Sequence, residues 1–192
     1  MLTMIIGLIL FIGAHSTRIF ADGLRMKTIA QRGETIWMGI VAAIALIGFI
    51  LIISGYGQAR IESVLLWSPP IWTKHLAALL TLPAFIFIVA AYLPGTRLKA
   101  KIGHPMIVGV KLWAFAHLMS NGMLADIILF GSFLIWAILD FGASRKRDKV
   151  NAITHASVSL TRDIYAIVIG VVVWAMFAGF LHGILIGVKP FG

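Results

Sequence analysis

The chain has 192 residues, of which 60% are hydrophobic and only 12% are charged, and its mean hydropathy is +1.01. A soluble domain is about 45–50% apolar and about 25% charged, so these proportions exclude a soluble globular protein and indicate an integral membrane protein. The net charge is +9 at pH 7, but the basic residues lie in short segments between apolar runs, as the positive-inside rule describes. We therefore expect a lipid bilayer as the surrounding partner and no nucleic acid.

The chain contains no cysteine. Disulfides, thiolate metal sites and thiol nucleophiles are thereby excluded, and a metal or cofactor would have to be held by His, carboxylate or Met side chains. The segment from Met1 to Ala14 carries no charged side chain, whereas a secretory signal begins with a positively charged region. We therefore expect the first apolar segment to be a retained helix.

Apolar runs long enough to cross a hydrocarbon core of about 30 Å recur along the chain. They predict an all-α fold, a polytopic transmembrane helix bundle of about six spans that forms a single integral membrane domain. The predicted spans are residues 2–20, 36–54, 71–92, 105–120, 123–141 and 164–187.

Local turn signals agree with the breaks between spans. Pro94 and Gly95 end the third span, and Pro105 suits the first turn of the fourth, where a missing N–H matters least. Asn121 and Gly122 predict a tight turn after the fourth span. The fourth and fifth helices should therefore form an antiparallel hairpin.

The basic residues are distributed unequally over the connecting loops. Eleven lie in loops 21–35, 93–104 and 142–163, and three lie in the segments on the other side. The positive-inside rule then places these three loops in the cytoplasm and both termini on the outer side. We expect loop 142–163 to lie on the anionic inner surface of the membrane, with His155 solvated.

The fourth span contains several polar residues, and polar groups in hydrocarbon are costly and therefore functional candidates. Trp113, His117 and Asn121 follow one another at i, i+4 and share a face, whereas Lys111 points towards the face of His104. A membrane histidine can also simply hydrogen-bond to a neighbouring helix, and Lys111 is within reach of the cytoplasmic interface. Both interpretations stay open from the residues alone.

The first span carries a second polar group of residues. His15, Arg18 and Asp22 are spaced i, i+3, i+7, so that an unbroken helix would place them on one face and allow Arg18 to pair with Asp22. Alternatively, Arg18 and Asp22 reach the cytoplasmic interface while His15 bonds to a neighbouring helix.

Three further histidines lie near predicted helix ends. His104 precedes Pro105 and must be extended, so it can cap the fourth helix or contact a lipid head group. His75 and His182 lie near the outer ends of the third and sixth spans, where a histidine needs no special role. Neutral imidazole is a common ligand of haem iron, and two membrane helices can each supply one nitrogen. The residues are thus compatible with haem b, while the familiar motifs of soluble enzymes are absent from the sequence.

The run GHPMIVGVKLWAFAHLMSNGMLADIILFGSFLIWAILD resembles the NnrU family of bacterial membrane proteins. LFIGAHSTRIF near the start, RGETIWMG at the second span and LHGILIGVKP at the end extend the resemblance over essentially the whole chain. It implies a protein of the bacterial inner membrane linked to denitrification, through the expression or activity of nitrite and nitric oxide reductases.

The family is in turn similar to zeta-carotene isomerase, a membrane enzyme that uses haem b. The isomerase pattern HPxxxGxxxWxxAH matches the segment from His104 to His117, and its histidine in the first shared helix matches His15. Carried over, the resemblance implies His15 and His117 as axial ligands of haem iron. We expect Arg18, His104, Lys111, Trp113 and Asn121 to line the cofactor site. Where the isomerase has a cysteine three positions before the second ligand, this chain has Ala114.

The predicted topology favours a different partner for His117. At about 1.5 Å per residue, His15 and His117 would differ in depth by roughly 15–20 Å. By depth, His75 and His182 are better companions, and we keep them as rival ligands.

Three other functions are weighed against a haem-binding denitrification protein. A haem-dependent, isomerase-like enzyme would act on a lipid-soluble substrate. A membrane methyltransferase is suggested by HPxxxG, although Gly103 and Ile107 stand where that family has arginine and tyrosine. A cofactor-free assembly or transport factor would work through nitrite or nitric oxide reductase.

Overall fold

The computed structural model describes residues 1–154, 156 and 159–190, and these residues form helices without any strand. The all-α class is therefore confirmed for this part of the chain, and His155 lies outside it. The elements are α1 (Leu2–His15), α2 (Thr17–Phe20), α3 (Asp22–Arg32), α4 (Glu34–Ile61), α5 (Ile71–Tyr92), α6 (Arg97–Ile102), α7 (Pro105–Ser120), α8 (Leu124–Val150), α9 (Leu160–Met176), a π-helical turn (Phe177–Leu181) and α10 (His182–Ile186).

Four helical stretches among the described residues are long and apolar enough to cross a membrane. They are α4, α5, α8 and the continuous stretch Leu160–Ile186. The helices α1 and α7 are also apolar but have 14 and 16 residues, fewer than the roughly 20 that a span needs. The chain thus has the helices of a membrane protein, and six spans with outer termini stay a prediction.

Two predicted spans coincide with helices, and two helices are longer than predicted. The third and fourth spans match α5 and α7 residue for residue. The helix that contains the second predicted span, α4, continues past residue 54 to Ile61, and α8 continues past the predicted end of the fifth span at 141 to Val150. Hydropathy marks the end of an apolar stretch, whereas Lys, Arg and Glu are good helix formers that let the backbone continue as a helix.

Two predicted loops contain helices, and the first predicted span is interrupted. Loop 21–35 is mostly α3, and loop 93–104 contains α6. Residues 2–20 do not form one helix, because the chain breaks at Ser16 and again at Ala21, whose φ and ψ are −136° and 35°. The predicted single face from His15 to Asp22 is therefore wrong. Oδ1 of Asp22 instead lies 3.5 Å from Nη1 of Arg25 within α3.

The chain divides into two compact units. The first unit comprises residues 1–67 and 123–132, and the second comprises residues 68–122 and the residues from 133 onward. In the first unit, α1 packs on α4 through glycines: a Cβ on Gly7 would lie 2.7 Å from the carbonyl oxygen of Gly48, and one on Gly48 would lie 2.6 Å from the amide nitrogen of Phe11. Small residues that let two backbones approach this closely are typical of helix pairs in membranes.

The second unit uses the same device to pack α7 and α9 on α5. A Cβ on Gly109 would lie 2.7 Å from the carbonyl oxygen of Ala84, and one on Gly170 would lie 2.7 Å from the Cα of Ile86. The part of α8 in this unit runs antiparallel to α7. Asp148, late in α8, contacts His104 at the start of α7, whereas Phe133, earlier in α8, contacts Trp113 in the middle of α7. The predicted hairpin direction is confirmed for this stretch.

Candidate functional site

The polar face of α7 forms as the sequence predicts. The Nδ1 atom of His117 donates a hydrogen bond to the carbonyl oxygen of Trp113 at 2.8 Å, and the two rings are 5.1 Å apart. Asn121 ends the helix, and its amide nitrogen donates to the carbonyl oxygen of His117 at 2.9 Å. His117 is half-buried. The i, i+4 spacing therefore produces a histidine held at both its ring and its backbone.

His182 is positioned by two irregular turns. It directly follows the π-helical turn Phe177–Leu181, and its helix ends at Gly187, which is left-handed with φ 76° and ψ 8°. This turn brings the carbonyl oxygen of Val188 back to the histidine, whose Nδ1 atom donates to it at 2.6 Å. Glycine suits the left-handed position because it has no Cβ.

The structure brings His117 and His182 together in the second unit. Their ring centres are 6.4 Å apart, and their planes differ by only 20°. Phe177 packs edge-on against His182 with ring centres 5.9 Å apart, and Phe133 packs edge-on against Trp113 at 5.4 Å. The two imidazoles thus lie among aromatic rings supplied by α7, α8 and the π-helical turn.

His15 lies in the first unit, whereas His117 lies in the second. It is the last residue of α1, is exposed, and donates from Nδ1 to the carbonyl oxygen of Phe11 at 2.7 Å. Its ring centre is 4.3 Å from that of Phe11. His15 is thus at the end of a helix, whereas the predicted first span, residues 2–20, would place it five residues before the end.

His15, His117 and His182 share one chemical property. A carbonyl oxygen can only accept a hydrogen bond, so in each neutral ring the proton is on Nδ1 and the lone pair is on Nε2. Metal-bound histidines are commonly oriented in this way, with the second ring nitrogen donating to a backbone carbonyl. No group of three or more His, Cys, Asp or Glu suited to a bare metal ion occurs among the described residues. A haem iron takes only one or two protein ligands.

His104 and Lys111 meet at a second cluster near the start of α7. The Nε2 atom of His104 is 2.8 Å from Oδ2 of Asp148, so the predicted capping of α7 by its side chain is wrong. The ammonium of Lys111 lies 3.7 Å from the ring centre of Phe141, against which His104 packs edge-on at 6.4 Å. The predicted shared face of His104 and Lys111 is confirmed. It holds a cation on an aromatic ring and a histidine on a carboxylate.

Sequence reasoning missed Asp148 because the basic run around it was interpreted as a loop. Phe141 and Asp148 are seven residues apart, which puts them on one face of a continuous helix. Extending the helical period through the charged run would have found this cluster.

A third polar cluster, in the first unit, was also missed. Tyr56 donates from its hydroxyl to Oδ1 of Asp126 at 2.6 Å, and the amide of Met123 donates to Oδ2 at 3.2 Å. Asp126 is 2% exposed. The guanidinium of Arg60 lies 5.7 Å from the Tyr56 ring centre. An aspartate in the first turn of α8 stabilises the helix because its negative charge lies at the positive end of the helix dipole. Its pairing with Tyr56, 70 positions away, is not visible in the sequence.

The remaining predicted site residues are Arg18 and His75. Arg18 is exposed in α2, and His75 is exposed on α5.

No curated protein and no solved structure matches the chain. The family model described as NnrU protein matches residues 3–190, which is nearly the full length. The chain therefore belongs to the NnrU family.

Proposed function

We propose that this chain is a bacterial inner-membrane protein linked to denitrification, which binds haem b through membrane histidines with His117 as the central ligand. The observation that carries the proposal is the tautomer of the imidazoles. The Nδ1 atom of His117 is 2.8 Å from the carbonyl of Trp113, so the neutral ring presents a lone pair at Nε2. His182 has the same arrangement with the carbonyl of Val188 at 2.6 Å.

The side chains around His117 suit a flat, apolar group. Trp113 presents a large ring surface beside it, Phe133 packs edge-on against Trp113, and His117 itself is only half-exposed. Aromatic side chains contribute large apolar areas with defined geometry. The chemistry that haem b would supply at such a site is reversible one-electron transfer or the binding of a small gas. The protein's own part is to orient the imidazoles and to keep water away from them.

Ala114 argues against isomerase chemistry at this site. It stands where the isomerase has a cysteine, and it is completely buried. Methyl cannot ligate iron, so an exchange between histidine and sulfur ligands has no counterpart here. A haem-handling or electron-transfer role in nitrogen-oxide respiration therefore fits these residues better, with the nitrite and nitric oxide reductase machinery as the partner.

The test is an optical spectrum of the purified full-length protein from haem-sufficient cells, as isolated and after dithionite, with haem type and amount measured as the pyridine complex. We expect a Soret band and the alpha band of haem b. The His117→Ala variant should lose most or all of the bound haem. The matched control is His75→Ala, since His75 is an exposed histidine of a neighbouring apolar helix, and it should leave the spectrum unchanged.

A colourless wild-type protein would overturn the proposal, and so would a His117→Ala variant with a normal spectrum and haem content. The cofactor-free assembly factor would then be the better candidate, with co-purification of nitric oxide reductase as its test.

A further inference from the structure

We infer that His117 and His182, both in the second unit, are the two protein ligands of one haem iron, and that His15 is not required. This inference rests on the proposed haem function and names the ligand pair of that site. Four observations carry it.

The first observation is the spacing of the two imidazoles. With a metal–nitrogen bond of about 2 Å on each side, and about 1 Å from each nitrogen to its ring centre, two imidazoles on opposite faces of one iron have ring centres about 6 Å apart. The ring centres of His117 and His182 are 6.4 Å apart. The planes differ by 20°, so the two rings are nearly parallel. The pair already has the separation that a shared iron requires.

The second observation is that both rings are held by the same kind of bond. The Nδ1 atoms donate to the carbonyl oxygens of Trp113 and Val188 at 2.8 and 2.6 Å. Each bond assigns the Nε2 atom of the neutral ring to the lone pair and limits rotation of the ring. Two rings with one tautomer are suited to a common metal.

The third observation is the π-helical turn directly before His182. A π turn holds one more residue than an α turn, so it rotates all following side chains by about 100° relative to a continued α-helix. Such turns are rare in proteins, and many of them lie at functional sites. Here the turn Phe177–Leu181 gives His182 its direction, and Gly187 then returns the chain to Val188.

The fourth observation is the aromatic surround. Phe177 contacts His182 from within the π-helical turn, and it also packs on Phe85 with ring centres 5.6 Å apart. Trp113 contacts His117 with ring centres 5.1 Å apart. Both histidines and all of these rings belong to the second unit, so the pair is complete without a residue of the first.

The experiment compares the full-length wild type with four alanine variants, at His117, His182, His15 and His75. The readouts are the optical spectrum, low-temperature electron paramagnetic resonance and carbon monoxide binding after dithionite. We expect a six-coordinate, low-spin wild type that binds no carbon monoxide. His117→Ala and His182→Ala should each convert the low-spin signal to a high-spin one or lose the haem, and His15→Ala and His75→Ala should match the wild type.

Added imidazole separates ligand loss from misfolding. If His182 is a ligand, imidazole should restore the low-spin spectrum of His182→Ala, because it fills the position that the side chain vacated. Deletion of Gly179 provides a second route: a Cβ at this residue would have no neighbour within 4 Å, and removing the residue should convert the π turn into an α turn. The low-spin signal should then be lost although both histidines are present.

The outcomes distinguish this inference from the proposed function. A wild type that contains no haem overturns both. A low-spin wild type that stays low-spin in His182→Ala but becomes high-spin in His15→Ala overturns the His182 ligand alone and establishes the pair implied by the resemblance.

Discussion

Backbone carbonyls determine which nitrogen three of the histidines offer to a ligand. His15, His117 and His182 each direct Nδ1 at a main-chain oxygen, two of them at the residue four positions earlier. In His104 it is Nε2 that is engaged, by the carboxylate of Asp148. The same side chain therefore has two different roles in this protein, a candidate ligand in the first case and a hydrogen-bond partner of a carboxylate in the second.

A buried carboxylate gives a stability prediction at the scale of one residue. Tyr56→Phe removes the hydroxyl that donates to Asp126, which is 2% exposed. A hydrogen bond to a charged group contributes about 1.5–3 kcal/mol. We therefore expect the variant to have a free energy of unfolding lower by about that amount, and a lower unfolding temperature. Circular dichroism of the purified protein in detergent measures the change.

Tyr92→Phe is the matched control for this change, because Tyr92 is 74% exposed and its hydroxyl is accessible to solvent or lipid head groups. Equal thermal stability of the two variants would contradict a structural role for the bond between Tyr56 and Asp126.

At the scale of helices, glycines determine which pairs pack closely. Gly7 and Gly48 let α1 approach α4 to backbone contact, and Gly109 and Gly170 do the same for the two helices on α5. Apolar side chains provide little driving force between helices in lipid, so packing of this kind becomes the main attraction. The exposed Leu, Ile and Val side chains of α4 and α9 are then suited to face the acyl chains.

Two glycines of α4 predict opposite effects of the same substitution. A Cβ on Gly48 would lie 2.6 Å from the backbone nitrogen of Phe11, whereas one on Gly57 would have no neighbour within 4 Å. We expect Gly48→Ala to destabilise the protein by about 1–3 kcal/mol, because two backbones must separate. Gly57→Ala should be neutral or stabilising by up to about 1 kcal/mol, because alanine is the better helix former.

Thermal unfolding of both variants in the same detergent measures the difference. If Gly48→Ala proved as stable as Gly57→Ala, the close packing of α1 on α4 would be wrong.

At the scale of the whole molecule, the distribution of charge predicts an orientation in the membrane. The helical extension of α8 beyond its apolar part carries Arg145, Lys146, Arg147 and Lys149. The other two predicted cytoplasmic segments, around α3 and α6, are also basic. Because positively charged segments near span ends are retained in the cytoplasm, we propose that all three lie on that side and that both termini lie outside.

The absence of cysteine from the sequence permits a direct test of this topology. Single cysteines replace Ser68, in the segment between α4 and α5, and Asn151, just after α8, both of which are exposed. A membrane-impermeant maleimide added to spheroplasts should label Ser68→Cys. It should label Asn151→Cys only after lysis, and the reverse pattern would show the opposite orientation.

Much of the chain was predictable because the determining forces are local. Apolar composition identifies a membrane protein, Pro105 and Asn121 mark the ends of α7, and a period of 3.6 residues places Trp113 and His117 on one face. The resemblance that names the family also depends only on the order of residues, and the family model confirms it.

The tertiary structure alone determined which distant residues meet. The separation of 65 positions between His117 and His182, or 44 between His104 and Asp148, carries no periodic signal. These contacts depend on the close packing of helices at glycines and on α8 continuing as a helix through charged residues. The contact of His182 also depends on the π turn that precedes it. The sequence by itself determined the membrane class, the family and the polar face of α7. Only the packing of helices brought a second imidazole to that face, because contacts between helices arise from shape complementarity rather than from local preference.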